Sequence, residues 1–312
     1  MLWRSLFMKA IRQVPFYANH TAVALGRFDG LHLGHQSVIG RALNASKQGL
    51  TSCVFTFSRG PTDASPMLMT PALTEQILNK MGVDILLAPP FDSMKDWSPE
   101  RFVSRFLHEQ LNAKKVVCGF NYHFGSKAAG NPDLLRELCG QYGIEVEIIG
   151  PIQECGLPIS STRIRRLVLQ GDMPGAARLL GRPLIIDLPV IQGKKVGRLM
   201  GTPTINQRPP ERFVIPKRGV YASCCYVDGK WLPSVTNCGL RPTINRLEHP
   251  LLETWIPNFS GDLYGLTIPV ALLAFLRPEK KFDDLDQLRD CIQQNGRDAA
   301  RIAGQWTFDF VF

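Results

Sequence analysis

Short apolar runs alternate with stretches of helical periodicity along the first half of the chain. The apolar runs predict buried strands at residues 22–25, 52–57, 85–88, 116–120 and 146–149. Between the third and fourth of these, Ser98 suits a helix N-cap and Pro99 the first helical position, and the apolar residues that follow share one face. Strands that alternate with helices predict a parallel sheet with both faces covered.

The second half has a different pattern, because helical periodicity nearly stops after residues 171–183. Short β-like runs follow, and Asp228-Gly229 predicts a type I′ hairpin between two of them. One helix candidate remains near the end, at residues 282–295. Many short strands separated by turns favour an antiparallel barrel or sandwich. We expect a first domain at residues 1–181 and a second at 182–312, with the boundary near Gly181.

Composition narrows the class of protein. The chain has 312 residues, 45% of them hydrophobic, and a net charge of +9, so two globular domains that bind polyanions fit it. The basic residues are scattered, which favours nucleotides and phosphates over a nucleic acid. Eight cysteines without a CxxC spacing are typical of buried free thiols in a reducing compartment. With no signal-peptide pattern and no membrane-length apolar segment, we expect a cytoplasmic protein without a membrane partner.

The stretch "GRFDGLHLGH" follows the first predicted strand and precedes a helix. Three interpretations are open. His32 and His35 could satisfy only loop and cap hydrogen bonds, or bind a metal together with Asp29, although no further ligands stand at a recognisable spacing. The third, which we favour, is an HxGH phosphate site at the carboxyl end of a strand, where Gly34 allows close approach and helix N–H groups receive phosphate oxygens.

A second stretch, "PISSTRIRRL", supports the phosphate interpretation. Ser160, Ser161 and Thr162 come at a predicted helix start, and arginines occupy its first turns. An ordinary N-cap with a solvated basic face would look the same. Hydroxyls and arginines at a helix N-terminus also form a triphosphate clamp, in which Arg165 could neutralise departing pyrophosphate.

Seven motifs in fixed order identify a family. "GRFDGLHLGHQ", "GFNYHFG", "ISSTRIR", "GRLMGTPTIN", "GVY", "NCGLRPT" and "LRPEKKF" span both halves of the chain. The chain resembles the prokaryotic bifunctional riboflavin kinase/FMN adenylyltransferases, also called FAD synthetases. The resemblance implies an α/β nucleotidyltransferase domain (Rossmann-like, HxGH type) followed by an antiparallel β-barrel riboflavin kinase domain with a C-terminal helix. It also implies that ATP phosphorylates riboflavin to FMN and adenylylates FMN to FAD, with release of pyrophosphate.

The resemblance carries site residues into both halves. In the first, catalytic roles fall to His32, His35 and Arg165, flavin contact to Phe57, and ATP binding to Phe28, Gly34, Asn121, Ser160, Ser161 and Thr162. In the second, Thr204 and Asn206 are expected to hold Mg²⁺ and ATP phosphates, because a hydroxyl and an amide oxygen suit that ion. Glu253 is the expected base and Arg277 a flavin-binding residue. The expected ligands are riboflavin, FMN, FAD and ATP, with no nucleic acid.

Several positions depart from the family pattern. Near the expected catalytic glutamate, Trp255 replaces a histidine and Asn258 replaces an aspartate. Elsewhere in the second half, Leu188 replaces a glycine, Thr202 replaces a common Phe, and Asn295 replaces an acidic residue. In the first half, "TFSRGP" lacks the usual Pro-His-Pro. Three alternatives therefore stay open: an FMN adenylyltransferase with a weak or inactive kinase domain, a non-catalytic flavin- or RNA-binding regulator, and a nucleotidyltransferase that uses another phosphate acceptor. Because HxGH, Thr204, Asn206 and Glu253 are all present, we expect both activities.

Overall fold

The structure is a computed structural model that describes residues 8–58, 65–193, 202–242, 248–282 and 284–308. These residues form two compact units. The first comprises residues 8–58 and 74–160, and the second comprises residues 65–73 and 161–308.

A six-stranded parallel sheet forms the centre of the first unit. Its strands are β1 (Lys9–Ile11), β2 (Thr21–Leu25), β3 (Thr51–Phe55), β4 (Ile85–Leu87), β5 (Ala113–Gly119) and β6 (Glu145–Ile149), in the spatial order β1-β4-β3-β2-β5-β6. The chain moves outward from β2 to β3 and β4, then returns to the other side of β2 with β5. The strand order therefore reverses between β2 and β5, which is where open α/β sheets bind their ligands.

Helices surround this sheet, and a short hairpin follows it. The helices are α1 (Leu33–Ser46), α2 (Pro71–Lys80), α3 (Pro99–Arg101) with a π-helical continuation (Phe102–Gln110), and α4 (Pro132–Gly140). Two 3₁₀ turns occur at Phe91–Ser93 and Ser126–Ala128. The hairpin consists of β7 (Gln153–Glu154) and β8 (Leu157–Pro158). Ser98 caps α3 as expected, accepting a hydrogen bond from the Arg101 amide at 3.2 Å. The wide π-helical turns were not predicted, yet the apolar face of this segment packs into the core, with Phe106 and Leu107 fully buried.

A closed antiparallel barrel forms most of the second unit. Its six strands are β9 (Leu184–Ile191), β10 (Thr204–Gln207), β11 (Gly219–Val227), β12 (Lys230–Pro242), β13 (Glu248–Trp255) and β14 (Thr267–Arg277), in the order β10-β13-β12-β11-β14-β9, with β9 closing onto β10. The unit also holds α5 (Ser161–Gln170), α6 (Met173–Leu180) and α7 (Leu285–Ala303). Asp228 and Gly229 both have positive φ, so the predicted hairpin turn is present between β11 and β12.

Hydroxyl groups hold the interior of the barrel together. Thr236 bonds Thr254 at 2.9 Å and Ser223 at 2.8 Å, and Ser223 also bonds Ser234 at 2.8 Å. All four side chains are completely buried. Each hydroxyl has its partner inside the barrel, so these polar groups are buried without leaving unpaired donors.

The segment 65–73 belongs to the barrel unit although it precedes most of the first unit in sequence. Met67 pairs with Phe213 in an isolated bridge, and the Thr70 hydroxyl bonds the buried Asp187 carboxylate at 2.6 Å. Burial raises the pKa of that carboxyl group, an effect that the Thr70 hydrogen bond opposes. Compactness thus divides the chain after residue 160, whereas the predicted functional boundary near Gly181 stays a prediction.

The predicted fold class is confirmed in both halves: a parallel α/β sheet comes first, and an antiparallel barrel with a C-terminal helix follows. All eight cysteines are free thiols, and six of them are buried. Within the described ranges, no helix is both long and apolar enough to cross a membrane.

Candidate active sites

The loop between β2 and α1 carries the HxGH residues. Gly26 follows β2 directly, and the loop turns sharply because Phe28, Gly30 and Leu31 all have positive φ. A Cβ on Gly26 would lie 2.9 Å from the Phe28 ring, so glycine is needed for this close approach. The buried Phe28 ring in turn lies edge-on to His35, with 5.4 Å between the ring centroids.

His32 is the N-cap of α1. Its Nδ1 accepts a hydrogen bond from the His35 amide at 3.3 Å, and its side chain is buried. A ring nitrogen that accepts from an N–H carries no proton, so the neutral ring holds its proton on Nε2. With Nδ1 used by the cap, Nε2–H is the hydrogen-bond donor of this ring.

His35 stacks on His32, with 3.5 Å between the ring centroids and 19° between the planes. Burial, and secondly the charge of His32, hold the pKa of His35 well below its ordinary value of 6.5. Two positive charges at this separation would repel each other strongly. Among the described residues, none gives His35 Nδ1 a hydrogen-bond partner, although that atom is buried. Without ligand, the pair is at most singly charged at neutral pH.

Gly34 brings the helix start close to the second motif. A Cβ at Gly34 would lie 3.1 Å from the His32 ring and 4.0 Å from the carbonyl oxygen of Ile159. A larger residue at this position would push against the capping ring, a reason for glycine that the sequence did not reveal. Ser160, the first residue of "SSTR", follows Ile159 directly and therefore lies close to the start of α1.

Aromatic and polar side chains follow the neighbouring strands at the same edge of the sheet. Phe57, two residues beyond β3, contacts Phe91 edge-on at 5.2 Å. Phe91, beyond β4, is 49% exposed, and sequence reasoning missed it. Asn121 lies beyond β5 and is exposed, with its side-chain oxygen 3.4 Å from where a Gly119 Cβ would be. The rule that ligands sit at the carboxyl ends of parallel strands could have identified Phe91.

The rest of the second motif falls in the barrel unit. The helix α5 begins at Ser161, as predicted, and buries Ile164 and Val168. Arg165 donates from Nε to the carbonyl oxygen of Pro66 at 2.6 Å, within the same unit. The position of Ser161, Thr162 and Arg165 relative to the histidines stays a prediction.

Strand register defines the candidate site on the barrel. Asn206 on β10 and Asn237 on β12 both pair with Glu253 on β13. Residues that pair directly point to the same face of a sheet. Glu253 therefore stands between two asparagines, on the face opposite the buried hydroxyls. Thr204, two residues before Asn206, lies on this face as well.

The residues on β10 suit a hard divalent cation. Asn206 is buried, and within the described part of the chain its Oδ1 accepts no hydrogen bond. Its Nδ2 donates to the Thr204 carbonyl at 3.4 Å, and a Cβ at Gly193 would lie only 2.5 Å from that nitrogen. An unpaired amide oxygen near a threonine hydroxyl fits the oxygen ligands that Mg²⁺ prefers.

A cavity of about 300 Å³ opens at the start of β10, where Ile205 and Thr254 line it from the face opposite Glu253. Thr204 lines it, as do the aromatic rings of Phe259 and Tyr264 and the carboxylate-bearing Asp262. Sequence reasoning did not identify the last three, which lie in the connection between β13 and β14. No local motif marks them, because only barrel closure brings this connection beside β10.

The structure shows where three of the residues that depart from the family pattern lie. Trp255 is buried on β13, and its ring lies 2.9 Å from where a Gly296 Cβ would be, so it packs against α7. Leu188 is buried on β9, and Asn258 occupies a turn with φ of +58°.

Arg277 at the end of β14 places its guanidinium 5.7 Å from the Phe282 ring. Residues 59–61 and 197–201 of the motifs lie outside the described residues.

An HxGH helix cap at the switch point of a parallel sheet is typical of nucleotidyltransferases. Beside it, the second unit is a closed barrel with a glutamate flanked by amides. Comparison with known families agrees with this division. The family described as FAD synthetase matches residues 15–163, and that described as riboflavin kinase matches residues 180–303.

Individual relatives match along nearly the full chain. Bifunctional riboflavin kinase/FMN adenylyltransferase from Pseudomonas fluorescens is 33% identical over 286 residues, which cover 89% of this chain and 92% of that protein. The protein of the same description from Listeria monocytogenes is 34% identical, over 88% and 90% of the two chains. A solved structure described as a macrolide-efflux protein from Streptococcus pneumoniae superposes with a TM-score of 0.83 at 29% identity, covering 96% of this chain and 100% of that one. The chain belongs to the family of bifunctional riboflavin kinase/FMN adenylyltransferases.

We predict that His35 stays neutral well below pH 6.5. Its pKa is lowered in the folded state, so between that pKa and 6.5 the unfolded chain binds more protons, and stability is lost as the pH falls through this window. Imidazole ¹⁵N NMR of the ligand-free protein measures the titration, and the His35→Gln variant assigns the signal. Half-protonation of His35 at or above pH 6.5 would contradict the burial argument.

Proposed function

We propose that the two halves act in succession on one flavin: the barrel phosphorylates riboflavin, and the α/β half adenylylates the FMN. The enzyme is a transferase of the bifunctional family to which it is similar along nearly its full length. The observation that supports two working sites is that each half holds its polar side chains in contact or in register, the stacked His32–His35 pair at the start of α1 and the Asn206–Glu253 pairing in the barrel. We assign the functional domains to residues 1–181 and 182–312.

In the adenylylation site, the FMN phosphate attacks the α-phosphorus of ATP and pyrophosphate leaves. The attacking phosphate oxygen is already anionic, so positioning and charge stabilisation matter more than a general base. His32 donates from Nε2–H, and the amides at the start of α1 receive phosphate oxygens. Bound phosphate favours the protonated form of His35, whose burial opposes it. We assign phosphate binding to Ser160, Ser161, Thr162 and Arg165 as well, with Arg165 neutralising the pyrophosphate, as the family motif implies.

The flavin of this site packs against the aromatic side chains that follow β3 and β4. Phe57 and Phe91 form an edge-on pair beyond β3 and β4, and Phe91 is half exposed. An isoalloxazine ring that covers Phe91 removes this apolar surface from water and gains aromatic contact. Asn121, beyond β5, binds the nucleotide.

In the kinase site, Glu253 accepts the proton of the riboflavin 5′-hydroxyl as its oxygen attacks the γ-phosphorus and ADP departs. Thr204 and Asn206 would hold Mg²⁺, which neutralises charge on the ATP phosphates when bound. The cavity lined by Thr204, Phe259 and Tyr264 holds the nucleoside part of ATP. Arg277 contacts the flavin. We place the enzyme in the cytoplasm, where ATP is available and its free thiols stay reduced.

One assay tests this function. The purified chain is incubated with riboflavin, ATP and Mg²⁺, and riboflavin, FMN and FAD are separated by chromatography. We expect FMN to form first and FAD to follow. FAD from supplied FMN without any FMN from riboflavin would instead identify an adenylyltransferase with an inactive barrel.

Alanine at either histidine is predicted to lower FMN adenylylation by about 10²–10³, the usual cost of one transition-state donor. Riboflavin phosphorylation in the same His32→Ala and His35→Ala proteins should persist, because that site lies in the barrel. The exposed His108, which lies outside the motifs, provides the matched control through His108→Ala. Unchanged FAD formation in both variants would refute the phosphate role.

Glu253→Gln keeps the shape of the side chain and removes its basic oxygen. We predict a fall in riboflavin phosphorylation of at least ~10², the range of a general base, with FAD formation from FMN untouched. Trp255 cannot take over the role, since indole only donates hydrogen bonds and the ring is packed against α7. Phosphorylation at the parent rate would show that another group removes the proton.

A further inference from the structure

Three polar side chains form a row across the barrel face. Asn206, Glu253 and Asn237 lie directly opposite one another on β10, β13 and β12. Cβ atoms of such neighbours are about 4.5–5.5 Å apart. The strand order places Glu253 in the middle, so the two asparagines flank it from opposite sides.

The orientation of the Asn237 amide is fixed by Glu279. Asn237 donates from Nδ2 to Glu279 Oε1 at 3.2 Å. An ionised carboxylate only accepts hydrogen bonds, so the amide nitrogen must face Glu279 and the amide oxygen must point away from it. Gly239 leaves room for the carboxylate, because a Cβ there would lie 2.5 Å from Glu279 Oε1.

The amide oxygen of Asn237 is buried, and no described residue donates a hydrogen bond to it. The same holds for the Asn206 oxygen on the other side of Glu253. Buried acceptors are normally paired, and an unpaired one is costly. Two unpaired amide oxygens beside a carboxylate therefore require an occupant that brings hydrogen-bond donors or positive charge.

The two sides of Glu253 differ in what they can receive. The nucleotide side is that of β10, since Thr204 and Asn206, which we propose to hold Mg²⁺ and the ATP phosphates, both stand on that strand. In-line transfer places the attacking hydroxyl opposite the leaving ADP across the γ-phosphorus, within reach of Glu253. With the nucleotide on the β10 side, the acceptor approaches from the β12 side, where Asn237 stands.

We infer that Asn237 binds the acceptor alcohol: its Oδ1 accepts a hydrogen bond from a ribityl hydroxyl of riboflavin and holds the chain beside Glu253. Glu279 is a positioning residue that keeps the amide in this orientation. The inference rests on the proposed kinase function and adds a specificity residue to it. A hydroxyl is the donor that this acceptor needs, and it satisfies the buried oxygen only when the flavin is present.

Steady-state kinetics of the full chain test the assignment, with FMN and FAD counted together so that adenylylation does not distort the rate. Asn237→Ala should raise KM for riboflavin by at least about 10-fold while KM for ATP stays within about 2-fold. Lumiflavin, which lacks the ribityl chain, should inhibit both proteins with the same constant. Lys230→Ala, an exposed position on the same strand, is the matched control.

Glu279→Ala provides a variant that leaves Asn237 in place, and Glu279 is exposed, so the fold should persist. We expect a smaller rise in KM for riboflavin, about 3-fold, because the freed amide can rotate. FAD formation from FMN and the melting temperature check that each variant is folded.

Each of these measurements either supports or overturns the assignment of Asn237 to the ribityl chain. An unchanged KM for riboflavin in Asn237→Ala, or an equal rise in KM for ATP, would overturn the inference while leaving the kinase function intact. Weakened lumiflavin inhibition would likewise overturn it, since the contact would then be to the ring. A parent chain that makes no FMN would instead overturn the proposed function, and this inference with it.

Discussion

The hydrogen bond from the His35 amide to the His32 ring organises the adenylylation half. It uses His32 Nδ1 as the helix cap and so leaves Nε2–H as the donor. It also brings the His35 ring onto that of His32, and burial with this neighbour keeps His35 from charging. Gly34 is the residue that this cap tolerates, because a Cβ there would crowd the His32 ring. One local interaction thus fixes the tautomer of His32, while burial keeps the stacked His35 neutral and the tight packing favours glycine between them.

The candidate site of the barrel is formed by the register of paired strands and not by a single loop. Closure of β10 onto both β9 and β13 brings Asn206 opposite Glu253, and the hairpin at Asp228-Gly229 sets the register of β11 on β12, which carries Asn237. The buried hydroxyls of Ser223, Thr236 and Thr254 tie the same strands together from inside. A slip of one residue would exchange these two faces and move Glu253 into the interior. The packing that stabilises the barrel and the geometry of its site therefore depend on the same pairing.

Most of the fold could be predicted from the sequence, because its signals are local. Alternating apolar runs indicated five of the six parallel strands, and capping residues such as Ser98 and Asp228-Gly229 marked helix starts and turns. The strand β1 was missed, since three half-polar residues give no apolar run. The final helix runs to Ala303, eight residues beyond the predicted end, because it continues through the stop signal Asn295-Gly296 and buries Ala299 and Ala303 beyond it. The π-helical turns after Arg101 have no sequence signature at this level.

Site residues were predictable where a motif is contiguous and were missed where the fold assembles them. His32, Gly34 and His35 belong to one short stretch, and their spacing alone suggests a phosphate site. Phe91 comes together with Phe57 only because β4 lies beside β3 in the sheet. Asn237 and Glu279 are 42 positions apart in sequence and meet only when the barrel closes. Because an unpaired buried oxygen is visible only in three dimensions, the motif "NCGLRPT" could be recognised without any role for its first residue. The structure shows which atom of Asn237 lacks a partner among the described residues and which residue fixes the direction of its amide, and the proposed role rests on these two observations.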